Sequence, residues 1–144
     1  MRRFHVALLI AALAVGYALG ATLHPVSGVS AQPGSHIFEI RTYYAHEGKL
    51  DALNARFRNH TMRLFTRHGM TNVGYWTPQD GPMAGNTLIY ILSHADRDAA
   101  KKSWDAFRAD PEWLKVKAES EAAGAIVSKI DSVFLQATDY SPLK

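Results

Sequence analysis

Three side chains suited to acid–base and anion chemistry occupy alternate positions of one β-favouring run, Phe38-Glu39-Ile40-Arg41-Thr42-Tyr43. In an extended chain residues i, i+2 and i+4 share a face, so Glu39, Arg41 and Tyr43 line up together. Phe38, Ile40 and Thr42 take the opposite face, which the sequence assigns to the helices. The polar trio is then expected on the face that meets a partner or lines a barrel cavity. There Arg41 offers a bidentate fork to an anionic substrate, with Tyr43 or Glu39 as proton donor or acceptor. The competing use of the same residues is a buried Glu–Arg pair that ties neighbouring strands without doing chemistry.

Two further positions join them. His60 adjoins an apolar helical stripe, where it would reach a pocket or act as an axial haem ligand; a satisfied, partly buried histidine is its plainer use. Trp76 follows Gly74 on one strand face, and a glycine there lets something large approach the sheet, so Trp76 is expected at a cavity or a dimer seam. The candidate catalytic residues are thus Glu39, Arg41, Tyr43 and His60, and the candidate ligand-binding residues Arg41, Tyr43, Trp76 and His60.

Other chemistries are excluded by what the chain lacks. Without cysteine there is no disulfide, thiol nucleophile or zinc–thiolate site. His60 and His68 share a helix but lie ~800° and ~12 Å apart, too far to bind one metal. There is no His-Glu-x-x-His pattern, nucleophile elbow, phosphate-cradling glycine loop or acidic metal cluster. No metal and no cofactor are predicted, with haem on His60 or His68 the lesser possibility. His46 and His94 read as solvated. Trp104, Phe107 and Trp113 fall at core spacing, and Lys101, Lys102, Lys115 and Lys117 read as solvated helix charges.

These residues need elements to place them. Ile37–Tyr44 alternates as a strand. Glu47-Gly48 opens a helix with the stripe Leu50, Leu53, Phe57, Thr61, Leu64 and His68, which Gly69 stops. Asn72–Thr77 is a second strand, Pro78–Gly85 a loop, and Thr87–Leu92 a continuous apolar strand, expected to be central and covered on both faces. Asp96 caps the next helix; Asp110-Pro111-Glu112 starts another that stops near Gly124. Ile126–Ala137 is the last strand. The order is that of an α+β, ferredoxin-like βαββαβ sandwich with helices on one face of an antiparallel sheet. Such a sheet leaves its other face bare, and a bare apolar face calls for a partner, here a second copy.

The 144 residues are 47% hydrophobic and 20% charged, enough for one domain with a core and unlike a disordered chain. The net charge of +3 gives no footprint for nucleic acid, because two of the 16 basic residues are Arg2 and Arg3 of a leader and the remaining 14 face 13 acids. In that leader the basic start precedes an uncharged, mostly apolar run over residues 6–23, then a small-residue exit in which Val29 and Ala31 suit cleavage before Gln32. Residues 1–31 are therefore a signal peptide or, if uncleaved, an N-terminal membrane anchor, residues 32–35 a linker, and residues 36–142 the domain. The positive-inside rule sends that domain out of the cytoplasm in both cases.

The run Phe38–Tyr43 also resembles the opening strand of the NIPSNAP family. Gly48-Lys49-Leu50, His68-Gly69, Val73-Gly74-Tyr75-Trp76, Asn86-Thr87, Phe107–Trp113 and Thr138–Pro142 follow in the family's order and cover nearly all of the chain after the leader. The tract Thr77–Gly85, with Met83, and the leader depart from the family pattern. The resemblance implies a dimeric α/β-barrel fold, in which two ferredoxin-like protomers pair their sheets, and hence a homodimer. The wider superfamily includes small-molecule monooxygenases and haem-using enzymes. Two functions stay open on this basis: a small-molecule-binding or scaffold dimer, and a cofactor-independent monooxygenase-like enzyme acting in the barrel cavity.

Overall fold

The computed structural model describes residues 36–144; the leader and the linker lie outside them. Strand β1 (Ile37–Ala45) leads through a turn at His46–Lys49 into helix α1 (Leu50–Arg56), a π-helical turn over Phe57–Thr61 and helix α2 (Met62–Arg67). Strands β2 (Thr71–Trp76) and β3 (Thr87–His94) come next, then helices α3 (Arg97–Ala109) and α4 (Pro111–Ser120), and strand β4 (Val127–Gln136). The sheet is antiparallel in the order β2-β3-β1-β4, so the first strand lies inside it and the last forms an edge. This is the α+β ferredoxin-like arrangement expected from the sequence.

Local chemistry accounts for most boundaries. The Asp96 carboxylate accepts from the Ala99 amide at 2.7 Å, capping α3. Asp110 caps α4 by accepting from the Glu112 and Trp113 amides at 2.7 and 3.3 Å, with Pro111 in the first turn where its missing N–H costs nothing. Gly69 ends α2 at φ +77°, a left-handed conformation in which a side chain would be strained.

The first helix is less regular than its apolar period suggests. At the π-helical turn the Met62 amide bonds the Phe57 carbonyl, and the Thr61 hydroxyl donates to the Arg56 carbonyl at 3.2 Å. Phe57, Thr61, Leu64 and Phe65 are all buried across this turn.

The core lies between these helices and one sheet face. Phe65 is at its centre, with ring centroids 4.9 Å from Phe107, 5.3 Å from Trp104 and 5.9 Å from Tyr90. The core readings of Trp104 and Phe107 hold, and Trp113 packs against the cluster from its rim.

The facing of β1 is the reverse of the expectation. Glu39, Arg41 and Tyr43 point to the helices: Tyr43 packs edge-on against Phe57 at 5.6 Å, and Glu39 is bonded to Trp104 of α3. Phe38, Ile40 and Thr42 take the bare face. Polar residues went inward because long-range donors there satisfy the carboxylate, an option that alternation along one strand does not reveal. β3 is central as expected, but its Ile89 and Ile91 are only half-buried, because no helix among the described residues covers that side. Ile40, Ile89 and Ile91 share the bare face with Trp76, Val133 and Leu135, which are 52%, 54% and 41% exposed.

Candidate functional site

Glu39 is the centre of the polar chemistry. It is 1% exposed, and both its oxygens are used. Oε1 accepts from Arg41 Nη1 at 2.7 Å and from the Ser132 hydroxyl on β4 at 2.6 Å. Oε2 accepts from the Trp104 indole N–H on α3 at 2.7 Å and lies 3.1 Å from His94 Nε2 on β3. Burial alone would raise its pKa, but the bonds from His94, Ser132, Trp104 and Arg41 outweigh it and hold the carboxyl at about 2. One carboxylate thus joins two neighbouring strands and a helix to its own strand. The pairing of Glu39 with Arg41 is the structural alternative read from the sequence, enlarged by three more donors.

Arg41 is held from two sides. Its guanidinium carbon lies 4.2 Å from the centre of a Trp104 ring, and Nη1 is on Glu39. Nε is buried without a protein acceptor. Burial disfavours the charge, but Tyr90, Tyr43 and Glu39 overcome that penalty and raise the pKa, so the cation is permanent. Its side chain is 16% exposed, toward a cleft of about 490 Å³ between α3 and strands β1 and β4. Glu39, Arg41, Ser132 and Phe134 form the floor of this cleft, and Arg97, Lys101, Trp104 and Arg108 overhang it from one side of α3.

The remaining candidates are elsewhere. Tyr43 belongs to the aromatic core and borders a separate cleft of about 370 Å³ beside Arg56 and Trp113. His60, on the π-helical turn, opens on a third hollow with Ala52, Ala55 and Glu119. Trp76 is on the opposite sheet face, folded over Gly74 so closely that a Cβ there would meet its ring at 2.5 Å. The expected polar wall of Glu39, Arg41, Tyr43 and His60 is therefore not one wall: only the first two share a cleft.

His94 corrects another expectation. At 2% exposure it is buried rather than solvated, because the Glu39 carboxylate draws it inward. His68 Nε2 lies 2.7 Å from Asp110 Oδ2, and His60 opens on its hollow without a second histidine beside it. Asp110 also takes Arg67 at 3.3 Å, and these contacts, led by His68, lower its pKa to about 2. Among the described residues no group of three or more His, Cys, Asp or Glu is placed to hold a metal ion, and no helix among them is long and apolar enough to cross a membrane.

Sequence reasoning missed His94, Ser132, Arg97 and the indole N–H of Trp104 as parts of this site. Trp104 and Ser132 are 65 and 93 residues from Glu39 along the chain, so no local signal pairs them.

Fold and cleft define an α+β protein of the ferredoxin-like, α/β-barrel kind. The chain belongs to the NIPSNAP family, whose model matches residues 38–142. A NIPSNAP family protein of unknown function from Agrobacterium tumefaciens is 22% identical with a TM-score of 0.67, over 76% of this chain and 95% of that one. An uncharacterized NIPSNAP domain protein from Burkholderia xenovorans is 21% identical with a TM-score of 0.63, over 74% and 98%. SnoaB, a cofactor-independent oxygenase from Streptomyces nogalater, is 18% identical with a TM-score of 0.50, over 75% and 98%. At these identities the likenesses concern the fold alone. No curated protein matches the chain.

Proposed function

We propose that the protein is an exported homodimer that binds a small organic molecule in the cleft between α3 and strands β1 and β4. The state of Glu39 carries the choice of binding over turnover. A general base works best with a pKa near the operating pH, whereas this carboxyl is held at about 2 with both oxygens occupied. It fixes the walls of the cleft and takes no proton from a substrate at neutral pH. Tyr43, the other expected proton carrier, is part of the core. A monooxygenase-like reaction would have to draw its base from Asp98, the other carboxylate that lines this cleft. A pure scaffold would leave the cleft without a use.

The bare face of Ile40, Ile89, Ile91, Val133, Leu135 and Trp76 supports the dimer, because a contiguous apolar surface of this kind is a site for association. Light scattering on the domain from residue 32 onward is expected to give twice the monomer mass at micromolar concentration. In the same samples some small organic molecules are expected to raise the melting temperature by mass action. A folded monomer that no small molecule stabilises overturns the reading.

Export is supported by the leader, with Arg2 and Arg3 ahead of its apolar run. Fractionation of cells making the untruncated, tagged protein is expected to place the domain outside the cytoplasmic membrane. Recovery of the full-length chain in the soluble cytosol would contradict export, cleaved or anchored.

A further inference from the structure

We infer that the ligand of the α3 cleft is a small organic acid, its carboxylate held by Arg41 and Arg97 and its body set against the open ring edges of Trp104 and Phe134. The inference rests on the small-molecule reading above and adds the chemical class.

Charge is the first argument. The cleft is lined by four cations, Arg41, Arg97, Lys101 and Arg108, and by two acids, Glu39 and Asp98. Glu39 is already committed to four donors. Asp105, outside the cleft, takes Lys101 at 2.7 Å and Arg108 at 2.6 Å, which positions those two cations at the rim. Arg97 makes no ion pair among the described residues; its guanidinium carbon rests 4.0 Å from the Phe134 ring centre. Arg41 is likewise stacked on an aromatic, and Glu39 engages only one of its nitrogens.

That arrangement is not the ordinary use of two arginines. A structural arginine in a folded domain spends its planar fork on carboxylates or carbonyls, which neutralise or satisfy it. Here Arg41 gives one nitrogen to Glu39 and rests over Trp104, and Arg97 rests over Phe134, which leaves most of their N–H donors unspent. Two guanidinium groups at the floor and rim of one cleft are complementary to an anion with two acceptor oxygens. The lining adds the rest of the specification. Trp104, 7% exposed, and Phe134 add apolar ring edges to the surface beside the charges, and a volume of about 490 Å³ suits a small organic molecule. A bare inorganic anion would leave that surface wet, so a carboxylate on a planar or branched apolar body fits better than phosphate.

The test titrates the full chain with sodium benzoate by calorimetry, with acetate, inorganic phosphate and benzyl alcohol as comparators. Benzoate is expected to bind more tightly than each of them, and more weakly as salt is added. Arg41→Lys keeps the charge and loses the fork, and is expected to raise the benzoate Kd at least tenfold with an unchanged circular dichroism spectrum. Should that variant misfold, Arg97→Gln, at the α3 rim, is expected to weaken binding severalfold. Lys102→Gln, outside the cleft, is expected to leave it unchanged. Equal benzoate affinity in wild type, Arg41→Lys and Arg97→Gln overturns the assignment, as does phosphate binding more tightly than benzoate. A protein that ignores benzoate yet is stabilised by uncharged molecules overturns this inference and leaves the small-molecule reading intact. A protein that neither kind stabilises overturns both.

Discussion

Glu39→Leu is expected to destabilise the domain by about 3–5 kcal/mol in chemical denaturation, because it leaves buried Arg41 without its anion. It also strands the Trp104 indole N–H and the Ser132 hydroxyl, which share that carboxylate. Glu39→Gln keeps the shape and one acceptor and is expected to cost less. The double variant Glu39→Leu with Arg41→Met removes both charges and is expected to recover much of the loss, since apolar packing can stand in for a buried pair. The pH dependence has a fixed sign. The Glu39 pKa is lower folded than unfolded, so its stabilising contribution is complete above about pH 4.5 and fades as pH falls toward 2. Asp110, also held at about 2, acts in the same window and direction. Glu39→Gln is therefore expected to flatten the acid limb of the stability curve. An unchanged acid limb in that variant, with wild-type stability at neutral pH, would rule out the hub as an energetic feature.

The second large effect belongs to the opposite face of the sheet. Trp76→Glu is expected to weaken self-association at least a hundredfold, equivalent to about 2.8 kcal/mol or more at roughly 1.4 kcal/mol per decade. A carboxylate placed in an apolar contact must shed its water without gaining a partner. Trp76 is 52% exposed in the protomer, so the fold is expected to survive the change. Ile91→Asp, at the middle of the same face, is expected to act in the same direction. Sedimentation across a concentration series measures both. A dimer that tolerates both charges assembles through some other surface.

What the sequence revealed of this architecture was whatever is written locally. The Asp96 and Asp110-Pro111 starts, the Gly69 stop and the alternation in β1 each depend on residues within a turn of one another, and each is where it was expected. The facing of β1 was not legible in that way. Alternation separates Glu39, Arg41 and Tyr43 from Phe38, Ile40 and Thr42, but it cannot say which set meets the helices. The usual preference for apolar residues inside chose wrongly, because Trp104, His94 and Ser132 make the inside hospitable to a carboxylate. The same distant bonds explain why His94, at the end of a strand, was read as solvated. The π-helical turn escaped notice because the stripe through Phe57, Thr61 and Leu64 also fits a regular helix. Arg41 was legible as a charged partner of Glu39; its aromatic support from α3 was not.

The placement of the first strand inside the sheet has a consequence in time. β1 pairs on one side with β4, which is made last, and Glu39 receives its Ser132 hydroxyl from 93 residues downstream. A nascent chain lacking β4 holds an ionised carboxylate with one donor short and an open strand edge beside it. Closing so long a loop comes late, after the local helices and the β2–β3 hairpin, as in other topologies dominated by distant contacts. β4 thus acts as the closing stitch of the domain, and the sheet can be sewn shut only once the chain through β4 is free of the ribosome.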